Sequence, residues 1–180
     1  MGRLRFATVW LGGCSGCHMS FLDLDEWLID LAQCVDVVFS PLADVKEYPE
    51  NVDLVLVEGA VANDENLHMI RTVRARTKTL VSLGDCAVTG NVTALRNPLG
   101  VALEVLRPVY LDNGDLNAQI PDEPHIVPVL LDRVQAVHQV VAVDFYLPGC
   151  PPPAPRIKAV LQALVEGRTP VLEGNELRFG

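Results

Sequence analysis

The chain has 180 residues, 49% of them apolar and 21% charged, and 14 Lys and Arg stand against 23 Asp and Glu for a formal net charge of −9. That length suits one domain with a core that needs no disulfide staples, and the composition excludes a disordered chain. The negative balance repels phosphate backbones and anionic headgroups, which argues against nucleic-acid and membrane-surface partners, and no apolar run approaches the roughly 18 residues of a membrane helix.

In chain order, the β-rich run Arg5–Leu11 comes first and ends at Gly12-Gly13. Its apolar stretch is shorter than the roughly 7–15 residues of a secretion signal's core, and no twin arginine precedes it, so it reads as a strand. The chain is therefore expected in the cytoplasm, where thiols stay reduced. Phe21, Leu24, Leu28, Leu31 and Val35 recur at steps of three and four, which predicts a helix with Ser20 and Asp23 as a capping pair. Val35–Phe39 and Val52–Val57 are the next strands, and Asn63-Asp64-Glu65 opens a helix whose last turns carry Arg71, Arg74 and Arg76. Thr79–Leu83 is a fourth strand. Arg107–Pro124, with Pro108, Asn113-Gly114 and Pro121, has no helical period and reads as a long loop. A fainter helical pattern covers Pro128–His138. Val141–Leu147 is the last strand, and Pro155 starts a helix over Arg156–Glu166 that Gly167 closes.

Short apolar runs bounded by turn residues and separated by helices predict a mostly parallel sheet with right-handed crossovers. The expected fold is α/β, a three-layer flavodoxin-like domain, with residues 1–180 as one unit.

Four of the five cysteines fall just past a strand: Cys14 and Cys17 in LGGCSGC, Cys86 in SLGDC and Cys150 in YLPGC. In an open parallel sheet the C-terminal ends of the strands share one edge, so topology brings these distant positions together. Glycine beside each lets backbone crowd a bulky inorganic group. A buried cysteine alone is ordinarily a small core hydrophobe, and Cys34, beside Leu31 and Trp27, is read that way. Four together in a reducing compartment suggest structural zinc or an iron–sulfur cluster. Zinc favours two compact C-x-x-C knuckles and only one exists here, so ligands spread over three loops fit a [4Fe-4S] cluster better. Pro148, Pro151, Pro152, Pro153 and Pro155 stiffen the fourth ligand's loop.

Cys14-Ser-Gly-Cys17-His18 is also a literal haem-attachment string and a thioredoxin-like C-x-x-C. Both readings leave Cys86 and Cys150 idle. His18 is read as a polar contact near the site. Glu58, ending the third strand on the cysteine edge, is a candidate proton relay or partner contact, although a solvated strand-end carboxylate is the commoner case. The basic helix end with Arg71, Arg74, Arg76 and Lys78 is read as a solvated face, with docking of an acidic partner as the sharper alternative. No phosphate-binding loop supports a flavin.

Trp10 through Ser20 (WLGGCSGCHMS), Val57-Glu-Gly59, Gly84-Asp-Cys-Ala-Val-Thr-Gly90 and Leu147-Pro-Gly-Cys-Pro-Pro152 together resemble the proximal-cluster module of [NiFe] hydrogenase small subunits, which is homologous to the 20 Kd subunit of respiratory complex I. Complex I subunits of this type carry adjacent cysteines where this chain has C-x-x-C, which points to the hydrogenase branch. Within it the chain is similar to the small subunit of cytoplasmic, bidirectional NAD-reducing enzymes, because a twin-arginine leader and a C-terminal domain for two more clusters are not seen. Asn91 and Ser15 depart from residues common in the family. The resemblance implies Cys14, Cys17, Cys86 and Cys150 as ligands of one [4Fe-4S] cluster and no catalytic residue in this chain. It also implies a large subunit with the Ni–Fe centre and diaphorase subunits that carry FMN, iron–sulfur clusters and the NAD site. The reaction implied is H2 + NAD+ = NADH + H+. The alternatives are a C-x-x-C dithiol oxidoreductase and a hydrogenase using NADP, deazaflavin or sulfur as acceptor.

Overall fold

A computed structural model describes residues 2–114, 116–124 and 126–177. The elements run β1 (Leu4–Trp10), α1 (Gly16–Leu22), α2 (Trp27–Cys34), β2 (Val35–Phe39), β3 (Val52–Glu58), β4 (Val61–Asn63), α3 (Asp64–Arg76), β5 (Thr77–Leu83), α4 (Gly84–Thr89), α5 (Ala102–Arg107), β6 (Leu130–Gln135), β7 (Phe145–Leu147) and α6 (Ala154–Val165). The main sheet has the order β2-β1-β3-β5-β7, and every pairing in it is parallel. Numbered by succession within that sheet the order is 2-1-3-4-5, the flavodoxin-like arrangement. A separate two-stranded antiparallel ribbon joins β4 to β6.

The three layers follow from the period of two along each strand. On β3, Leu54 and Leu56 face one core with Phe6, Leu31, Ile157 and Leu161, between the sheet and α2 and α6. Val55 and Val57 face the other core with Val9, Ile70 and Val73, beneath α3. α3 begins as its sequence predicts: Asn63 Oδ1 accepts from the Asn66 amide at 2.7 Å, Asp64 and Glu65 occupy the first turn, and Arg74 and Arg76 the last.

Five expectations change. The single helix ending at Val35 is two, α1 and α2, broken where Asp25 adopts a left-handed φ of 50°. Ser20 is no cap; its buried hydroxyl donates to Pro152 O at 2.6 Å. The helix expected over Pro128–His138 is instead strand β6 and a short 3-10 turn, Val137–Gln139, because β4 supplies a partner that the local apolar pattern cannot disclose. The last strand shortens to Phe145–Leu147; Val141 and Val143 pack on the core before it, while Asp144 Oδ2 accepts from the Leu80 amide and from Arg74. The start of the expected loop is also helical: α5 ends at Arg107 and a π-turn covers Pro108–Asp112.

Candidate metal centre

The loops after β1 and β3 are stitched edge to edge. The Leu11 amide donates to Glu58 O at 2.8 Å, and Gly12 and Ala60 exchange amide hydrogen bonds at 2.9 and 2.8 Å. Gly59 permits this with φ 90°, since a Cβ there would stand 2.9 Å from the Leu11 carbonyl carbon. The tight weave delivers Cys14 above the sheet edge and lets α1 start at Gly16 with Cys17 in its first turn.

Glu58 holds that turn in place. It is 1% exposed, and its carboxylate accepts from the Cys17 amide at 3.4 Å and the His18 amide at 2.9 Å. The same carboxylate contacts His18 Nδ1. The solvated strand-end reading of Glu58 therefore fails: two helix-start amides and an imidazole enclose its charge. His18 is the polar contact that the sequence suggests.

Cys86 and Cys150 arrive as a pair. The Asp85 amide donates to Gly149 O at 2.9 Å, and Asp85 Oδ1 accepts from the Gly149 amide at 2.6 Å. This reciprocal clasp binds the loop after β5 to the loop after β7. Arg156 donates to Pro148 O at 2.7 Å, and the Ser20 bond to Pro152 O ties the same loop to α1.

The four loops thus converge, with Cys17 and Cys86 buried and Cys14 and Cys150 exposed. Cys34, read from the sequence as core or inert, is not in the core: it is exposed on α2, beside a small cleft lined by Trp27 and Leu31. Burial pushes the Cys17 thiol well above its ordinary range, and the charges of Glu58, Cys86, Cys14 and Cys150 push it further. Cys86 is also raised, first by burial, with Cys150 and Cys14 adding to it and a hydrogen bond from Thr93 opposing it. The Cys17 and Cys86 sulfurs thus lie in the field of the other cysteines, and a cationic group among them would relieve the repulsion between thiolates.

The surroundings fit a cluster. A Cβ on Gly84 would come within 2.1 Å of Cys17 Sγ, and one on Gly16 within 3.2 Å of Cys14 Sγ, so both glycines leave room that a side chain would fill. Besides Thr93 at Cys86, two more donors address sulfur: the Gly16 amide to Cys14 Sγ at 3.4 Å and Asn91 Nδ2 to Cys150 Sγ at 3.3 Å. Among the described residues no three His, Cys, Asp or Glu side chains are grouped as a single ion requires. A tetrahedral zinc at the usual bond length would need sulfurs about 3.8 Å apart. A polynuclear cluster, with one iron for each cysteine, accommodates a wider set.

Sequence reading missed Asp85, Thr93 and Ser20. Asp85 carried a signal, an acidic residue between a glycine and a candidate ligand in a run headed for the interior. Thr93 and Ser20 carried none, because their roles depend on where remote loops land.

The family model described as NADH ubiquinone oxidoreductase, 20 Kd subunit, matches residues 14–164. The chain is 38% identical over 171 residues to the NAD-reducing hydrogenase HoxS subunit delta of Cupriavidus necator, covering 93% of this chain and 81% of that one. It is 40% identical to a subunit of the F420-non-reducing hydrogenase of Methanothermobacter marburgensis, covering 92% of this chain but only 54% of that relative's length. Among solved structures, a chain of an NAD+-reducing [NiFe]-hydrogenase in the H2-reduced state superposes with a TM-score of 0.94 at 39% identity, over 99% of this chain and 100% of that one.

Proposed function

The chain belongs to the NADH ubiquinone oxidoreductase 20 Kd subunit family, and from that premise we propose that it is the electron-transferring small subunit of an NAD-reducing [NiFe] hydrogenase. The observation that carries this reading is the placement of Cys14, Cys17, Cys86 and Cys150 on one sheet edge, on three braced segments that follow β1, β5 and β7. Residues 1–180 act as one iron–sulfur domain. One [4Fe-4S] cluster held by these four cysteines would supply one-electron storage between a large subunit with the Ni–Fe centre and diaphorase subunits that reduce NAD.

This chain's residues do the positioning. Glu58 fixes the first turn of α1 and hence Cys17. The Asp85–Gly149 clasp sets Cys86 against Cys150, and Asn91 and the Gly16 amide place partial positive charge on sulfur. Cys14 and Cys150 are exposed and present the site to partners at the strand-end edge. Of the two roles expected for Glu58, its burial favours proton handling within the assembly over surface contact. No helix among the described residues is long and apolar enough to cross a membrane, in keeping with the cytoplasmic place we assign to the complex. The names of the relatives support hydrogenase chemistry, and the NAD acceptor rests on the two NAD-reducing relatives at 38% and 39% identity.

Iron and acid-labile sulfide analysis of anaerobically prepared protein, with an EPR spectrum after dithionite reduction, tests the reading. About four irons and four sulfides per chain with a reduced-cubane signal are expected. Stoichiometric zinc, a Soret band or iron-free folded protein would overturn it, the last reviving a dithiol oxidoreductase using Cys14 and Cys17. Hydrogen uptake by the isolated chain would place the catalytic centre here and contradict the assigned role.

A further inference from the structure

The sequence holds 14 Lys and Arg, of which Arg178 lies outside the described residues. Eleven of the other cations have partners. Arg3, Lys46, Arg74, Arg76, Lys78, Arg107 and Arg168 face carboxylates. Arg5, Arg96 and Arg156 donate to backbone carbonyls, and Lys158 sits over the Trp27 ring. Arg71 and Arg133 alone, among the described residues, have none, and both line the same groove.

That groove lies between α3 and β6 and encloses about 520 Å³. Leu67, Leu131 and Val140 form its apolar floor, continuous with the core under α3, and Gln139 stands beside them. Asp132 also lines it, with Oδ1 already accepting from the Ala102 amide at 3.2 Å. Arg71 has no carboxylate three or four residues away on α3; Leu67, His68, Arg74 and Ala75 occupy those positions. In a chain of net charge −9 two guanidiniums left free in one cleft are a local reversal of the molecule's charge.

We propose that the groove between α3 and β6 docks an acidic segment of a partner subunit, with Arg71 and Arg133 receiving its carboxylates and Leu67, Leu131 and Val140 its apolar side chains. Charge complementarity selects this occupant. A planar guanidinium takes a carboxylate by two parallel hydrogen bonds, and apolar side chains beside the two arginines suit a peptide rather than a small anion. The proposal rests on the chain working within a multi-subunit enzyme, and it assigns one contact to a face built by α3 and the ribbon, apart from the cysteine-bearing loops.

The test uses the co-expressed complex, purified through a tag on this chain. Arg71→Glu with Arg133→Glu is expected to weaken retention of one partner subunit by at least about tenfold, and rising salt to do the same to the unaltered complex. Arg71→Gln with Arg133→Gln should give a smaller loss, and Arg71→Lys with Arg133→Lys, which keeps the charge but not the paired hydrogen bonds, a smaller one still. The Gln pair removes charge without adding repulsion, so a folding defect in the reversed variant leaves the test intact. Iron content and the EPR signal should not change. Full retention of every subunit by both the Glu and Gln pairs overturns the proposal. So does protection of both arginines from phenylglyoxal by inorganic phosphate but not by assembly, which assigns the groove to a small anion. A complex without iron that still sheds a partner on charge reversal overturns the iron–sulfur reading and leaves the groove assignment standing.

Discussion

The two edges of the main sheet are built on opposite principles. Where the strands begin, charge is neutralised inside the chain: Asp53 meets Lys78 at 2.7 Å and the Arg5 amide at 2.8 Å, Arg3 meets Asp36, Arg76 meets Glu50, and Arg74 meets Asp144. Where the strands end, glycines thin the backbone, and burial together with the neighbouring cysteines raises the proton affinity of the Cys17 and Cys86 thiols. The first edge is finished when the chain folds. The second, on the function proposed above, is completed by the cluster its cysteines would hold, and Cys14 and Cys150 are exposed there. An open parallel sheet permits this division because strand polarity gathers all starts on one side and all ends on the other.

Removing a sulfur should break the contrast most severely. Cys86→Ser or Cys150→Ser is expected to lower iron from about four per chain to near zero and abolish the reduced-cubane signal, since a cubane needs one ligand at each iron. Cys34→Ser, on the far side of α2, should leave both unchanged. Retention of full iron by either of the first two variants would remove that cysteine from the ligand set. Anaerobic titration with an iron chelator sharpens the comparison: the strand-end edge should lose protection from amide exchange, while β3 and β5 near Asp53 and Lys78 keep theirs.

Glu58→Ala follows in size. The carboxylate is 1% exposed and satisfies two amides and the His18 ring, so truncation strands three buried groups. A loss of about 2–4 kcal/mol is expected by denaturant titration, with weaker iron retention. Glu58→Gln keeps an acceptor for the amides and should recover most of the stability. If the two variants prove equally unstable, the charge, and not the capping geometry, is what the site requires.

That Cys14, Cys17, Cys86 and Cys150 follow strands of one parallel sheet was legible in the sequence, because it needs only strand polarity and a glycine-bearing turn after each apolar run. The 2-1-3-4-5 order was legible in kind for the same reason. Long-range pairing was not. β4 is three residues, Val61–Asn63, too short to announce itself, so the run opposite it read as a helix. The break between α1 and α2 hid because Leu24, Leu28 and Leu31 keep a helical period across a left-handed Asp25. Glu58 looked solvated because its partners, the Cys17 and His18 amides, lie some forty residues earlier in the chain.

The smallest expected effect lies at the finished edge. Lys78, the Arg5 amide and the Arg5 charge hold the Asp53 carboxyl below its ordinary value, with the Lys78 hydrogen bond the largest contribution. A lowered folded-state pKa means that the unfolded chain binds the proton first as pH falls. The stabilisation is therefore complete above the ordinary carboxylate range and is lost as pH drops through the folded value. Lys78 is largely exposed, its side chain retaining 73% of its accessible surface, so solvent and salt screen the pair. Asp53→Asn should cost under about 1 kcal/mol at neutral pH. The gap in Tm between the variant and the parent should close in acid and shrink in molar salt, with iron content unaffected throughout. A gap that persists unchanged however far the pH is lowered would show that Asp53 acts through shape and neutral hydrogen bonding, and the two edges would then differ in more than where their charge is neutralised.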